Sequence, residues 1–230
     1  MSLTLGLPSK GRLMQKTLDW FQGRGVRIAR TGSDREYAAE ADADAALTIQ
    51  LMAAGEIPRE LSAGRLHLGV TGSDLVRDRV PAWDQAVEEL AELGFGEADL
   101  VIAVPEFWAD VTSLDDLDAA AADFREHHGH RLRIATKYHR LVREFLRDAG
   151  VADYQLIDSQ GATEGVVSHG LAEAIADITS SGETLRANHL RPLEDGLVHK
   201  SQATLFRARR ADWGPETRAA WEALRDRLGL

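Results

Sequence analysis

The chain has 230 residues, 44% hydrophobic and 28% charged, a size and balance suited to two ordinary globular domains. Its net charge of -10 argues against a surface that wraps nucleic acid, and the lack of cysteine excludes disulfides, thiolate chemistry and the commonest zinc ligand. No apolar run approaches the roughly 20 residues that cross a bilayer, and the N-terminus lacks a signal-peptide pattern, so no membrane contact and a cytoplasmic location are expected.

The pattern predicts a strand over 3–7, running into Gly6-Leu-Pro-Ser-Lys-Gly-Arg-Leu13. There Lys10 and Arg12 flank Gly11 ahead of a helix over 13–24, a setting for phosphate or a purine nucleotide. The glycine spacing is not that of a P-loop, and a solvated basic turn is the plainer alternative. The biased stretch 38–46 is expected to be an exposed loop or hairpin end. A strand over 45–51 and a short helix over 56–63, opened by Ile57-Pro58, come next. Leu68-Gly-Val-Thr-Gly-Ser-Asp74 reads as a strand, then a tight turn at Thr71 and Gly72, then a helix capped by Ser73 or Asp74.

A strand over 100–104 ends at Pro105, where a domain boundary is expected. Ser113 caps a helix over 114–122. His127, His128 and His130 lie beside Gly129 and read as a solvated helix end rather than a metal cluster. A strand over 133–136 leads into a helix over 139–149. Lys137 and Arg140 at that helix start oppose its dipole, a local cost that a bound anion offsets. A strand over 154–157 enters the loop 158–165, which carries Glu164. Beyond residue 186 a strand over 202–207 and a helix over 215–228 close the chain. Ala219, Leu224 and Leu228 make an apolar stripe on that helix, with Trp221 beside it, expected to pack on its own domain. Trp20, Phe21, Trp83, Phe107, Trp108 and Phe145 are assigned to core or interfaces. Repeated strand-loop-helix units imply an α/β fold with mostly parallel sheets, whose ligands sit beyond the carboxyl ends of strands.

The most informative segment is Ala174-Ile-Ala-Asp-Ile-Thr-Ser-Ser-Gly-Glu-Thr-Leu185. It reads as a buried strand over 174–178, a small-residue turn from Thr179 through Ser180 and Ser181 to Gly182, and a helix start at Glu183 and Thr184. Acid, hydroxyls, glycine and free amides in that order suit a phosphorylated sugar. Strand alternation puts Glu173 and Asp177 on one face. A strand-turn-helix junction without a ligand is the alternative.

Together with Leu7-Pro-Ser-Lys-Gly-Arg-Leu13, Gly55-Glu-Ile-Pro58, Leu68 to Leu75, Arg133-Ile-Ala-Thr-Lys-Tyr138 and Gly170 to Asn188, this segment resembles the ATP phosphoribosyltransferase family, in its short form. The resemblance implies a two-domain fold of the type II periplasmic-binding-protein kind, with an active-site cleft between domains. Domain I would hold 1–104 plus 187–230, and domain II 105–186. The implied reaction joins N1 of ATP to C1 of phosphoribosyl pyrophosphate, releasing pyrophosphate, with Mg2+, as the first step of histidine biosynthesis.

The resemblance gives Thr179, Ser180, Ser181, Gly182 and Thr184 to the 5-phosphate of phosphoribosyl pyrophosphate, and Glu183 to the same substrate. Glu173, Asp177 and Glu164 go to the same substrate. Lys10, Gly11, Arg12, Thr71 and Gly72 go to ATP or pyrophosphate, with Asp177 and Arg35 as the catalytic pair. Many short-form relatives carry arginines where Ala53 and Gly55 stand here. The implied partners are a second copy, forming a homodimer, and a regulatory subunit resembling histidyl-tRNA synthetase. A solute-binding or regulatory protein of the same fold, without catalysis, is the competing class. The phosphosugar loop argues against it.

Overall fold

The computed structural model describes residues 2–30, 38–41, 46–159, 161 and 163–230. Arg35 and the side chain of Glu164 lie outside this description. The chain divides into two compact units, residues 1–96 with 202–230, and residues 97–201. Among the described residues no helix is long and apolar enough to cross a membrane.

The first unit begins with β1 (Leu3–Pro8), α1 (Gly11–Gln22), β2 (Ile28–Arg30), β3 (Ala38–Ala41) and β4 (Leu47–Met52). It continues with α2 (Ile57–Ser62), β5 (Leu68–Gly72), α3 (Ser73–Arg79), the single turn α4 (Trp83–Ala86) and β6 (Val87–Glu92). The second unit holds β7 (Ala98–Pro105), α5 (Leu114–His128), β8 (Leu132–Thr136), α6 (His139–Asp148) and β9 (Tyr154–Asp158). After a single turn at Thr163–Gly165 it adds β10 (Ala174–Thr179), α7 (Glu183–Ala187) and β11 (Leu190–Ser201). The chain then returns to the first unit with β12 (Ala203–Ala208) and α8 (Pro215–Leu228).

The first unit's sheet runs β2-β3-β4-β1-β5-β12-β6, and the second unit's runs β11-β7-β10-β8-β9. Each has a parallel core, β4-β1-β5 in one and β10-β8-β9 in the other. The remaining pairings are antiparallel, so six of the ten described pairings break the expected parallel pattern. The cause is topological: β7, β11, β12, β2, β3 and β6 join the sheets without a helical crossover that would carry them to a parallel neighbour.

Strand alternation builds the first unit's core. Leu3, Leu5 and Leu7 project from β1 into a cluster with Phe21 of α1 and Trp221, Leu224 and Leu228 of α8. Phe21 is fully buried, worth about 1.5–3 kcal/mol over exposure. On the opposite sheet face, Ile57 and Leu61 of α2 and Val76 of α3 pack with Leu66 and Phe206. Close approach there explains two strand glycines. A Cβ on Gly6 would stand 2.4 Å from Leu66 Cδ1, and one on Gly69 would stand 2.7 Å from Ile57 Cγ2.

Several expectations are corrected. β7 and β11 pair with each other in the second sheet, so the unit boundaries fall at 96/97 and 201/202 rather than at 104/105 and 186/187. Ala38–Ala41 is a strand between β2 and β4, antiparallel to both, so of the loop and hairpin-end alternatives for 38–46 it is the hairpin that the pairing favours. Phe107 is 79% exposed and belongs to no core. On α8 it is Thr217, Trp221, Leu224 and Leu228 that are buried, while Ala219 is exposed.

Candidate functional site

In the second unit the parallel strands β10, β8 and β9 end side by side, with Ala176 opposite Thr136 and Thr136 opposite Asp158. Their carboxyl ends gather the loop 180–182, Lys137 at the start of α6, and Ser159. Ser159 donates its backbone N–H to the Thr136 carbonyl at 3.1 Å, and its hydroxyl bonds Thr163 Oγ1 at 3.1 Å. Such an edge is where an α/β sheet presents ligands.

The loop is pre-formed by its own hydroxyls. Thr179 Oγ1 accepts from the Gly182 N–H at 2.9 Å, and Ser181 Oγ accepts from the Glu183 N–H at 3.3 Å. Gly182 has φ +72°, a left-handed turn that glycine adopts without strain. Ser180, Ser181, Glu183 and Thr184 are exposed. α7 has only five residues, so its dipole is small and local amides and hydroxyls carry the polarity of the loop. Arg186 folds back over the turn, its Nη2 donating to the Ser181 carbonyl at 3.1 Å. A Cβ on Gly182 would meet Arg186 Nη1 at 2.9 Å. Sequence reasoning missed Arg186. Its signal was its place four residues after Gly182, one helical turn on.

Asp177 is 8% exposed at the end of β10. Its Oδ1 accepts from the Ile178 N–H at 2.8 Å, and Lys137 Nζ stands 3.9 Å from its Oδ2. This carboxylate is therefore held in place and paired with a cation at the ligand edge. α6 carries no acid in its first turn, and Lys137 and Arg140 stand at its start as expected from the sequence, facing Asp177 at 3.9 Å and Glu144 at 3.2 Å. His139 Nε2 lies 3.4 Å from Asp158 Oδ1.

Glu173 shares Asp177's face but stands at the far end of the strand, four residues or about 13 Å away. Arg133 holds it there. The Arg133 N–H donates to Glu173 Oε2 at 2.7 Å, and Arg133 Nη2 to Oε1 at 2.5 Å. Burial works to raise this carboxyl, but the Arg133 side chain and amide hold it below its ordinary value. The structure thus separates the two acids that strand alternation had grouped.

In the first unit β4, β1 and β5 form the corresponding edge. Lys10 caps α1 in extended conformation, and Gly11 begins the helix at φ +73° with open space where a Cβ would stand. No acid lies in the first turn, so Lys10 and Arg12 leave this N-terminus cationic and exposed. Thr71 is fully buried and donates to the Ala54 carbonyl at 2.8 Å. Its hydroxyl ties β5 to the 53–56 loop. Gly72 is the N-cap of α3. Arg79 Nη1 donates to the Gly55 carbonyl, and a Cβ on Gly55 would stand 2.6 Å from that nitrogen. A guanidinium therefore does reach this loop, from α3 rather than from positions 53 and 55.

Comparisons with known proteins give the chain's family and fold. A family model described as HisG, ATP phosphoribosyltransferase, matches residues 53–228. The ATP phosphoribosyltransferase of Cereibacter sphaeroides is 66% identical over 230 residues, covering all of this chain and 97% of that protein. The protein of that name from Brucella ovis is 51% identical over 212 residues, covering 92% of each. Among solved structures, the ATP phosphoribosyl transferase (HisG:HisZ) complex from Thermotoga maritima superposes with TM-score 0.74 at 20% identity, covering 99% of this chain and 96% of that one. The P235GK mutant of ArgBP from the same organism gives TM-score 0.54 at 13% identity, covering 99% and 88%. The fold is of the type II periplasmic-binding-protein kind.

Proposed function

The chain belongs to the ATP phosphoribosyltransferase family, the transferase of the histidine-biosynthetic step, and from that premise we propose how its residues carry the reaction. The second unit binds phosphoribosyl pyrophosphate. Its 5-phosphate lies on the Thr179–Thr184 turn, with Arg186 adding a cation that sequence reasoning had not supplied. The observation that carries this is the buried Asp177 beside Lys137 at the same strand end as the pre-formed turn. Asp177 binds the ribose hydroxyls and stabilises positive character at C1 as pyrophosphate departs. N1 of adenine is already a nucleophile, so no general base is required, and positioning plus electrostatics supply the acceleration.

The first unit supplies cations for ATP and pyrophosphate. Lys10 and Arg12 stand at its ligand edge, Arg79 on the Gly55 loop, and Arg35 remains assigned to this role. Glu164 remains assigned to the phosphosugar. Glu173 is withdrawn from substrate and given to structure. Mg2+ accompanies the substrate phosphates and supplies charge neutralisation. The working assembly in this proposal is a cytoplasmic homodimer with a histidyl-tRNA-synthetase-like regulatory subunit, supported by the fold-level likeness to the HisG:HisZ complex.

The test is to incubate the purified chain with ATP, phosphoribosyl pyrophosphate and Mg2+, with and without such a subunit, and to follow product absorbance. Product formation that survives removal of both Asp177 and the 179–184 turn would overturn these residue assignments.

A further inference from the structure

The second unit has a concavity that the reaction does not use. It lies at the start of β8 and β9, the opposite end of those strands from Lys137 and Ser159. Its volume is about 640 Å³, and its lining includes Arg131, Arg143, Arg147, Tyr154, Gln155 and Leu156. No carboxylate lines it. In a chain of net charge -10, that is a local reversal of sign.

The fold brings the three arginines together for separate reasons. Arg143 and Arg147 are one helical turn apart on α6. Arg131 immediately precedes β8, and Tyr154 opens β9 opposite Leu132. The connecting loop is fixed from below. The Val151 N–H donates to the Leu146 carbonyl at 2.9 Å, and the Ala152 N–H donates to Asp118 Oδ1 at 2.8 Å.

The guanidinium groups are not neutralised equally. Arg147 Nη2 meets Asp148 at 2.8 Å in an exposed pair, a contact of small net worth. Arg131 is only 3.8 Å from Asp153, which Arg125 also engages. Among the described residues no carboxylate pairs with Arg143. All three cations act on the Tyr154 hydroxyl. Burial raises it and they pull it down, with burial prevailing, so it remains a neutral O–H donor among positive charges.

We infer that this concavity binds a doubly charged phosphoryl group carried by a small molecule, at a site separate from the 179–184 turn. Arginine forks match phosphate oxygens in pairs, and three forks with a hydroxyl donor exceed what one carboxylate accepts. The volume lies within the range of small-molecule sites. The five residues of β8 separate the two ends by about 16 Å.

The test is a titration of the full chain with inorganic phosphate and, separately, with glycerol 3-phosphate at fixed ionic strength. The arginine 15Nε resonances are the readout. The expected result is saturable shifts at Arg131, Arg143 and Arg147, with Arg24 and Arg218 as unmoved surface controls. Arg143→Gln weakens binding by about tenfold or more, Tyr154→Phe weakens it less, and Gly182→Val leaves it intact. Glycerol 3-phosphate binding more tightly than inorganic phosphate is the expected result, and equal or weaker binding overturns the assignment to a phosphoryl group carried by a small molecule. Shifts that do not saturate, that match the controls, that survive Arg143→Gln, or that vanish with Gly182→Val overturn the inference.

Discussion

Glu173, just before β10, and Asp177, within it, are both carboxylates, yet their surroundings give them different work. Glu173 is locked by Arg133, and its folded carboxyl titrates below its ordinary range. A depressed carboxyl contributes stability above the unfolded value near 4.3, and that stability is lost as pH falls through the folded value. Glu173→Gln is therefore expected to cost about 2 kcal/mol at neutral pH, a difference that shrinks below about pH 4, with phosphoribosyl pyrophosphate affinity unchanged. Urea melts across pH, paired with calorimetry, check both halves. Asp177→Asn should do the reverse, with folding intact and kcat lowered about tenfold to a hundredfold, more than KM rises. Steady-state kinetics in which only KM moved would make Asp177 a binding group alone. Gly182→Val forces a β-branched residue to φ +72° and drives a Cβ against Arg186. Affinity for phosphoribosyl pyrophosphate should fall more than about tenfold while circular dichroism stays native. The sequence shows the acid, the hydroxyls and the glycine because they are contiguous. It does not show Arg133, forty residues from Glu173, nor Arg79 at Gly55, because those contacts exist only once strands and helices have packed.

Elements whose signals are local were legible. Ser113 caps α5, and Asp116 closes the box by accepting from the Thr112 and Ser113 amides. The Ser113 hydroxyl, followed by those amides, holds the Asp116 carboxyl at about 2. Ser113→Ala is expected to destabilise the protein by about 1 kcal/mol, read as a lower denaturation midpoint at unchanged slope. An unchanged midpoint would show that α5 is held by packing through Leu114, Leu117 and Ala121 alone. Elements that depend on a distant partner were not legible. β6, with sequence Val-Glu-Glu-Leu-Ala-Glu, has no β-branched run and three acids. It is a strand because it pairs with β12, where Arg207 meets Glu88 across the ladder. β11 carries a proline and a glycine within twelve residues and pairs with β7 through shifts in register. Its polar sequence gave no periodic signal, which is also why the unit boundary was expected too early at one end and too late at the other.

The two units differ in how the chain builds them, and that difference is testable. Residues 97–201 are continuous and contain every strand of their own sheet. They also contain a buried cluster formed by Val101, Ala103, Ala135, Ile175, Leu185 and Leu190. Residues 1–96 are not self-sufficient. β12 lies between β5 and β6, and α8 fills the core against β1 with Trp221, Leu224 and Leu228, so 1–96 alone lacks both an internal strand and a core helix. Losing such a strand leaves β6 without its neighbour and opens backbone donors and acceptors along β5. The expected outcome is that residues 97–201, expressed alone, unfold cooperatively and retain measurable affinity for phosphoribosyl pyrophosphate, because the 179–184 turn, Asp177 and Lys137 all lie within them. Residues 1–96 alone should show no cooperative transition until 202–230 is supplied as a second polypeptide. Thermal circular dichroism on both fragments decides it. A cooperative melt from 1–96 by itself would show that β12 and α8 are dispensable to its core, and none from 97–201 would show that its stability depends on the other unit.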